Sequence, residues 1–60
     1  MRKRFYVYDL YEEERISQYF DNIDDAEQEL MIVAGLHSIE DVQEYLQSRT
    51  CKYEIRVEGE

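Results

Sequence analysis

The sequence predicts an α+β fold, a small two-layer domain in which a three-stranded antiparallel-type sheet carries two helices on one face, in the order β-β-α-α-β. Two segments rich in aromatic and β-branched residues, at 4–11 and 15–20, are typical of strands. Two capped segments with helical spacing begin near Ile23 and Ile39, and an alternating segment follows at 51–57. With no linker or repeat, the 60 residues are expected to form a single domain.

The first two strands are predicted to form a hairpin, because only a short acidic stretch separates them. Side chains alternate between the two faces of a strand, so one set is expected to join the core and the other to form an outer face. The core set is Phe5, Val7, Ile16 and Phe20. The outer set, called the tyrosine face below, is Tyr6, Tyr8, Leu10 and Tyr19.

The first helix is predicted to begin at Ile23, with Asn22 as its N-terminal cap. Asp24 and Asp25 suit the positive end of the helix dipole, and Gly35 suits a left-handed C-terminal cap. Apolar residues at helical spacing predict the buried stripe. This stripe is Ile23, Ala26, Leu30, Val33 and Ala34, widened by Met31 and Ile32.

The second helix is predicted to begin after Ser38 as cap, with Asp41 at the capping-box position and Arg49 near the helix end. Its buried stripe is Ile39, Val42, Tyr45 and Leu46. The strand at 51–57 alternates strictly between apolar and charged residues, which predicts one buried face and one solvent-exposed face. Its core side is Cys51, Tyr53, Ile55 and Val57.

Carboxylates dominate the middle of the chain. Between Asp9 and Ser48 there are twelve acids and one cation, Arg15, a local charge of 1 − 12 = −11 within a net charge of −8. Such a field attracts basic partners and repels nucleic acid, so we expect a non-enzymatic module that binds a protein with a basic surface. The acids expected to contact that partner are Glu12, Glu13, Glu14, Asp24, Asp25, Glu40, Asp41 and Glu44.

Two other roles stay open for these surfaces. Acids three or four residues apart on a helix have Cβ atoms about 5 to 6 Å from each other, not far from the phosphate spacing of a nucleic-acid strand. The helices could therefore mimic DNA in a basic groove, or form an ordinary solvated surface. Tyr6, Tyr8 and Tyr19 could contact the partner, or form a symmetric homodimer in which the acids only maintain solubility.

Nucleic-acid binding finds little support. Arg2, Lys3 and Arg4 could touch phosphates, with Tyr6 and Tyr8 stacking on bases, but the net charge of −8 opposes approach. The basic start is otherwise expected to be a solvated tail or a counterweight to the acidic middle.

The sequence predicts no catalytic residue, cofactor or metal. His37 and Cys51 are the only histidine and cysteine, which is too few for a zinc site. Asp21, Asp24 and Asp25 lack the spacing, glycine and terminal glutamate of a calcium loop. The lone thiol favours a reducing compartment, so a cytoplasmic location is expected, and no run of about 18 apolar residues predicts a membrane span.

Taken whole, a free-standing acidic chain of 60 residues that begins with Met resembles the small proteins that bacteriophages express to bind and disable host enzymes. The resemblance lies in size and composition rather than in a motif. It implies an inhibitor acting in the host cytoplasm, and no residue role is transferred by it.

Overall fold

A three-stranded antiparallel sheet with the strand order β2-β1-β3 forms one layer of the molecule. The computed structural model of the chain describes residues 3–59. The strands are β1 (Arg4–Asp9), β2 (Glu14–Arg15) and β3 (Tyr53–Glu58), and the helices are α1 (Ile23–Ala34) and α2 (Ile39–Gln47). The predicted α+β class and the order β-β-α-α-β are confirmed.

The core lies between the sheet and the helices. Val7 of β1, Leu30 of α1 and Val42 of α2 are fully buried and form its centre. Burying a side chain of this size contributes about 1.5 to 3 kcal/mol relative to leaving it in water. Tyr53 and Ile55 of β3 pack against this centre, α1 contacts both β1 and β3, and α2 packs against α1. The second face of the sheet carries no helix of the described chain.

The predicted helix caps are confirmed. The Asn22 side chain accepts the Asp25 N–H at 2.9 Å, and the Ser38 hydroxyl accepts the Asp41 N–H at 3.2 Å. Gly35 ends α1 with a φ of 71°, a conformation that costs other residues more. Each side-chain cap contributes about 1 kcal/mol.

The second strand is shorter than predicted, and the expectation of a regular strand over 15–20 is wrong. Hydrogen bonding continues past β2 only as far as the Ile16 N–H, which donates to the Val7 carbonyl at 3.1 Å. The Val7 N–H then donates to the Ser17 hydroxyl at 2.8 Å. A side-chain oxygen thus takes the place of a backbone carbonyl, which interrupts the ladder.

Pairing resumes further along as an isolated bridge between Phe5 and Phe20, with backbone hydrogen bonds of 2.8 and 2.7 Å. The preceding pair joins Tyr8 to Arg15. Two residues of β1, 6 and 7, therefore face four residues of the opposing segment, 16 to 19. Such an excess on one strand is a bulge, and it bends the chain away from regular pairing.

Three apolar side chains assigned to buried stripes are largely exposed: Ile23 at 45%, Ile32 at 68% and Val57 at 52%. Ile23 is the first residue of α1. Ile32 follows Leu30 by two positions, which places it about 200° around the helix from that buried residue. Val57 lies near the end of an edge strand. Burial therefore follows the cover that neighbouring elements provide, not hydrophobic spacing alone.

The remaining differences concern the ends of elements. The first strand ends at Asp9 rather than residue 11, and the third begins at Tyr53 rather than Cys51. Arg49 lies beyond the end of α2, whose last turn contains no basic residue. Neither α1 nor α2, the two helices within residues 3–59, has the length and apolarity needed to cross a membrane.

Candidate interaction surfaces

The glutamate loop, Glu12, Glu13 and Glu14, forms the tip of the β1–β2 hairpin and includes the first residue of β2, and all three side chains are exposed. Only Glu12 and Glu13 lie in the turn itself, because Glu14 begins β2 and pairs with Asp9. Asp9 organises this turn, since its Oδ1 accepts the N–H of Tyr11 at 2.8 Å and of Glu12 at 3.0 Å. Asp9 is only 5% exposed. It is therefore a structural acid rather than part of the solvent-facing charge, a role that its position at a strand end could have indicated.

The acidic helix surface consists of acids in the first turns of both helices and one acid further along α2: Asp24, Asp25, Glu40, Asp41 and Glu44. Asp41 is half-buried and the others are exposed. Asp25 has a second duty, because its Oδ2 accepts a hydrogen bond from the Asn22 amide at 3.2 Å. The four first-turn acids stabilise helix starts, and all five acids contribute negative charge to this surface.

The five acids of the acidic helix surface form two separate groups, whereas Glu27 and Glu29 lie further along α1 and are half-buried. Asp24 and Asp25 lie at the start of α1, whose 12 residues span about 18 Å. Glu40 and Asp41 follow its end after a connection of four residues, 35–38. A short connection keeps the start of α2 near the end of α1, so the two groups lie near opposite ends of α1.

No lysine or arginine occurs over residues 16–48, where the chain carries eight acids. Both ion pairs within residues 3–59 lie on the sheet, and neither involves an acid of α1 or α2. The charge of the helix acids is therefore not neutralised by cations of the described chain.

The predicted tyrosine face exists, but it also carries arginines. Tyr6 and Tyr19 pack edge to face, with ring centroids 5.4 Å apart and an interplanar angle of 79°. The Arg56 guanidinium lies 3.6 Å from the centroid of the Tyr8 ring. All three tyrosines are half-buried. Because arginines cover the rings of Tyr8 and Tyr19, this face is not the bare apolar patch that alternation predicts.

Two more arginines contact Tyr19. The guanidinium carbons of Arg4 and Arg15 lie 4.3 and 4.4 Å from its ring centroid. Glu58 completes the group, since its Oε1 accepts a hydrogen bond from the Tyr19 hydroxyl at 3.1 Å and its Oε2 lies 2.5 Å from Arg4. Arg4 is therefore part of the sheet surface rather than of a solvated tail.

The sequence contained a signal for this arrangement. Arg4 shares the β1 parity of Tyr6 and Tyr8, and Glu54 and Arg56 lie opposite these tyrosines in the paired strand. The prediction grouped Arg4 with Arg2 and Lys3, and Arg2 lies outside the described residues. With Arg4, Arg15 and Arg56 against Glu54 and Glu58, this face has a charge of 3 − 2 = +1. The molecule thus has a cationic, aromatic sheet face and acidic helices.

Electrostatic contacts also affect Lys52, just before β3. The Tyr53 side chain, followed by the Asp9 carboxylate, raises the pKa of Lys52 above its usual value of 10.5. The Lys52 ammonium lies 5.3 Å from the centroid of the Tyr53 ring. Lys52 is therefore a full cation at neutral pH.

His37 is exposed and Cys51 is a half-buried free thiol. Among residues 3–59, no three His, Cys, Asp or Glu side chains are grouped so that they could hold a metal ion. Comparisons with protein-family models, with curated proteins and with solved structures found no match to this chain.

Proposed function

We propose that this chain is a non-enzymatic protein-binding module whose acidic helix surface engages a basic surface of another protein. The observation that carries the proposal is the run of eight acids without a lysine or arginine over residues 16–48, with no helix acid paired to a cation among the described residues. Unneutralised charge of one sign accelerates encounter with a partner of the opposite sign.

The proposed binding also involves aromatic contact area, in addition to electrostatic attraction. Tyr6, Tyr8 and Tyr19 lie on the other side of the sheet from the acidic helices, so we propose that they add contact area for a separate surface, either of the partner or of a second copy of this chain. Their arginine neighbours match the residue types that dominate binding energy at interfaces. The glutamate loop extends the negative field beyond the sheet. The lone thiol supports a reducing cytoplasm as the proposed location, that of the host if the chain is phage-encoded.

An inhibitor that occupies a basic groove in place of DNA is one form of this function. In that form carboxylates replace phosphates as the ligands of basic side chains. The two groups of helix acids, near opposite ends of an 18 Å helix, would then reach two separate basic positions rather than a continuous row. Competition by double-stranded DNA for the same partner is the distinguishing property of this form.

Affinity capture from a bacterial lysate, followed by mass spectrometry, identifies the partner on which the proposal is tested. The matched variants are Glu40→Gln with Glu44→Gln, which removes two exposed charges without a capping role, and Gln47→Ala as a neutral control on α2. Neutralisation is expected to slow association by on the order of threefold to tenfold at low salt, and added salt should remove the difference.

Association that neither salt nor the double substitution changes would refute the electrostatic mechanism. A small-molecule turnover by the purified chain would refute the non-enzymatic assignment. If duplex DNA displaces the chain from its partner, the DNA-mimic form is supported. If duplex DNA does not displace it, the chain binds its partner without mimicking DNA.

A further inference from the structure

The outer edge of β3 is a six-residue strand edge that pairs with no other strand of the described chain. β3 pairs with β1 along its inner side and ends the sheet order β2-β1-β3. An edge of this length is a template for pairing with another strand. We propose that β3 pairs antiparallel with β3 of a second copy of this chain, in the single register that places Ile55 opposite Ile55.

The hydrogen-bond pattern identifies which backbone groups are available. The Leu10 N–H donates to the Lys52 carbonyl at 2.8 Å, so the Lys52 carbonyl is directed towards β1. Backbone groups alternate in direction along a strand. Glu54 and Arg56 therefore also bond β1, while Ile55 and Val57 direct their N–H and carbonyl groups to the open edge.

Charge then selects the register. Backbone pairing requires an outward-directed residue opposite another, so the two copies can shift only in steps of two residues. With Ile55 opposite Ile55, each Glu54 lies opposite Arg56 of the second copy. A shift in one direction places Arg56 opposite Arg56, and a shift in the other places Glu54 opposite Glu54. Like charges directly opposite destabilise a pair of strands, so the Ile55 register is favoured over both neighbouring registers. A shift of two steps, with Val57 opposite Val57, also pairs Arg56 with Glu58 but places Ile55 opposite Gly59, which offers no side chain to pack against.

The helix-side face of β3 fits the same register. Val57 is 52% exposed and Ile55 is half-buried. In the Ile55 register, Val57 lies opposite Tyr53 of the second copy and Ile55 lies opposite itself. Apolar side chains therefore meet on one face while opposite charges meet on the other, and the exposed part of Val57 gains a cover.

The backbone ladder is short and defined. The two Ile55 residues exchange two hydrogen bonds, and each Val57 N–H donates to the Tyr53 carbonyl of the second copy, which makes four. The Tyr53 N–H already donates to the Tyr45 hydroxyl at 3.1 Å, so the ladder stops there. The other sheet edge, the two-residue β2 followed by its bulge, lacks the length for such pairing.

The result is a continuous six-stranded sheet with the helices of both copies on one side. The pairing brings together the two acidic helix surfaces on that side and the two arginine-rich tyrosine faces on the other. Self-association through β3 requires no other protein, so it does not depend on the partner proposed above.

Analytical ultracentrifugation of charge variants tests the register. Samples from about 10 µM to about 1 mM suit the weak association expected of one short strand pairing with four backbone hydrogen bonds. We expect the native chain to dimerise, and Glu54→Arg alone or Arg56→Glu alone to weaken dimerisation at least tenfold, because each places like charges opposite twice. An equimolar mixture of these two variants should dimerise again, since every charge then faces its opposite.

A backbone test leaves all charges in place. Val57→Pro removes an outward-directed N–H and should abolish the dimer, whereas Val57→Thr keeps the N–H and should retain it. Circular dichroism checks that each variant is folded. If Val57→Pro does not fold, the equimolar mixture of the two charge variants remains as the test of the dimer. A monomeric native chain over the whole range, a Val57→Pro dimer of native affinity, or a mixture no heavier than its components would overturn the proposal.

Discussion

Replacement of Ser17 by alanine is expected to destabilise the fold by about 2 kcal/mol, although it removes a single oxygen. Ser17 is 8% exposed, and its hydroxyl accepts the Val7 N–H at 2.8 Å while it donates to the Gln18 carbonyl at 2.9 Å. Val7 is fully buried in the core. Alanine would leave the Val7 N–H without its acceptor, and an unsatisfied buried donor costs about 1 to 3 kcal/mol.

The loss is large relative to the stability expected of a chain of this size. At 0.05 to 0.15 kcal/mol per residue, 60 residues correspond to roughly 3 to 9 kcal/mol. A loss of about 2 kcal/mol would therefore remove between a fifth and two thirds of the total. With a urea dependence of about 1 kcal/mol per M, the unfolding midpoint should fall by about 2 M.

Urea unfolding followed by circular dichroism measures this change, and Ser17→Thr is the matched control because it retains an acceptor oxygen. Hydrogen exchange of the Val7 amide adds a local measurement, since its protection should fall in the alanine variant. The reasoning would be refuted if Ser17→Ala unfolded within about 0.5 kcal/mol of the native chain, a change typical of an ordinary surface position.

Two further substitutions test features of the loops. Glu13 has a φ of 57°, a conformation that costs most residues roughly 1 to 2 kcal/mol but that glycine and asparagine tolerate better. Glu13→Asn should therefore raise the unfolding free energy by about 0.5 to 1 kcal/mol, and Glu12→Asn should not. Equal effects of the two substitutions in urea unfolding would contradict this. The pKa of Lys52 is raised by Tyr53 and Asp9. The contribution of the Lys52 charge to the free energy of unfolding is therefore complete below pH 10.5 and is lost as pH rises through the folded-state pKa. Lys52→Met should therefore flatten the alkaline fall in stability, and an unchanged slope would exclude this role.

The sequence predicted those parts of the fold that depend on neighbouring residues. Asn22, Ser38 and Gly35 mark helix ends through contacts within one turn, and all three are confirmed. The second strand depends instead on Ser17 meeting Val7 across the sheet, ten residues away in sequence. A propensity pattern contains no information about a side chain that replaces a backbone acceptor.

The candidate surfaces divide in the same way. Exposure of the glutamate loop and of most helix acids follows from local polarity. The cover of Tyr19 by Arg4 and Arg15 depends on how segments distant in sequence come together on the sheet. The tyrosine face could therefore be located from alternation, whereas its cationic character required the pairing of β1 with its neighbours.

One phenol oxygen links the second helix to the last strand. The Tyr45 hydroxyl accepts the N–H of Lys52 at 2.8 Å and of Tyr53 at 3.1 Å, while the Tyr45 ring packs against the core. If α2 moved away from the core, these two amides would lose their acceptor. The helix and the beginning of β3 should therefore open together as one cooperative unit, rather than fraying separately.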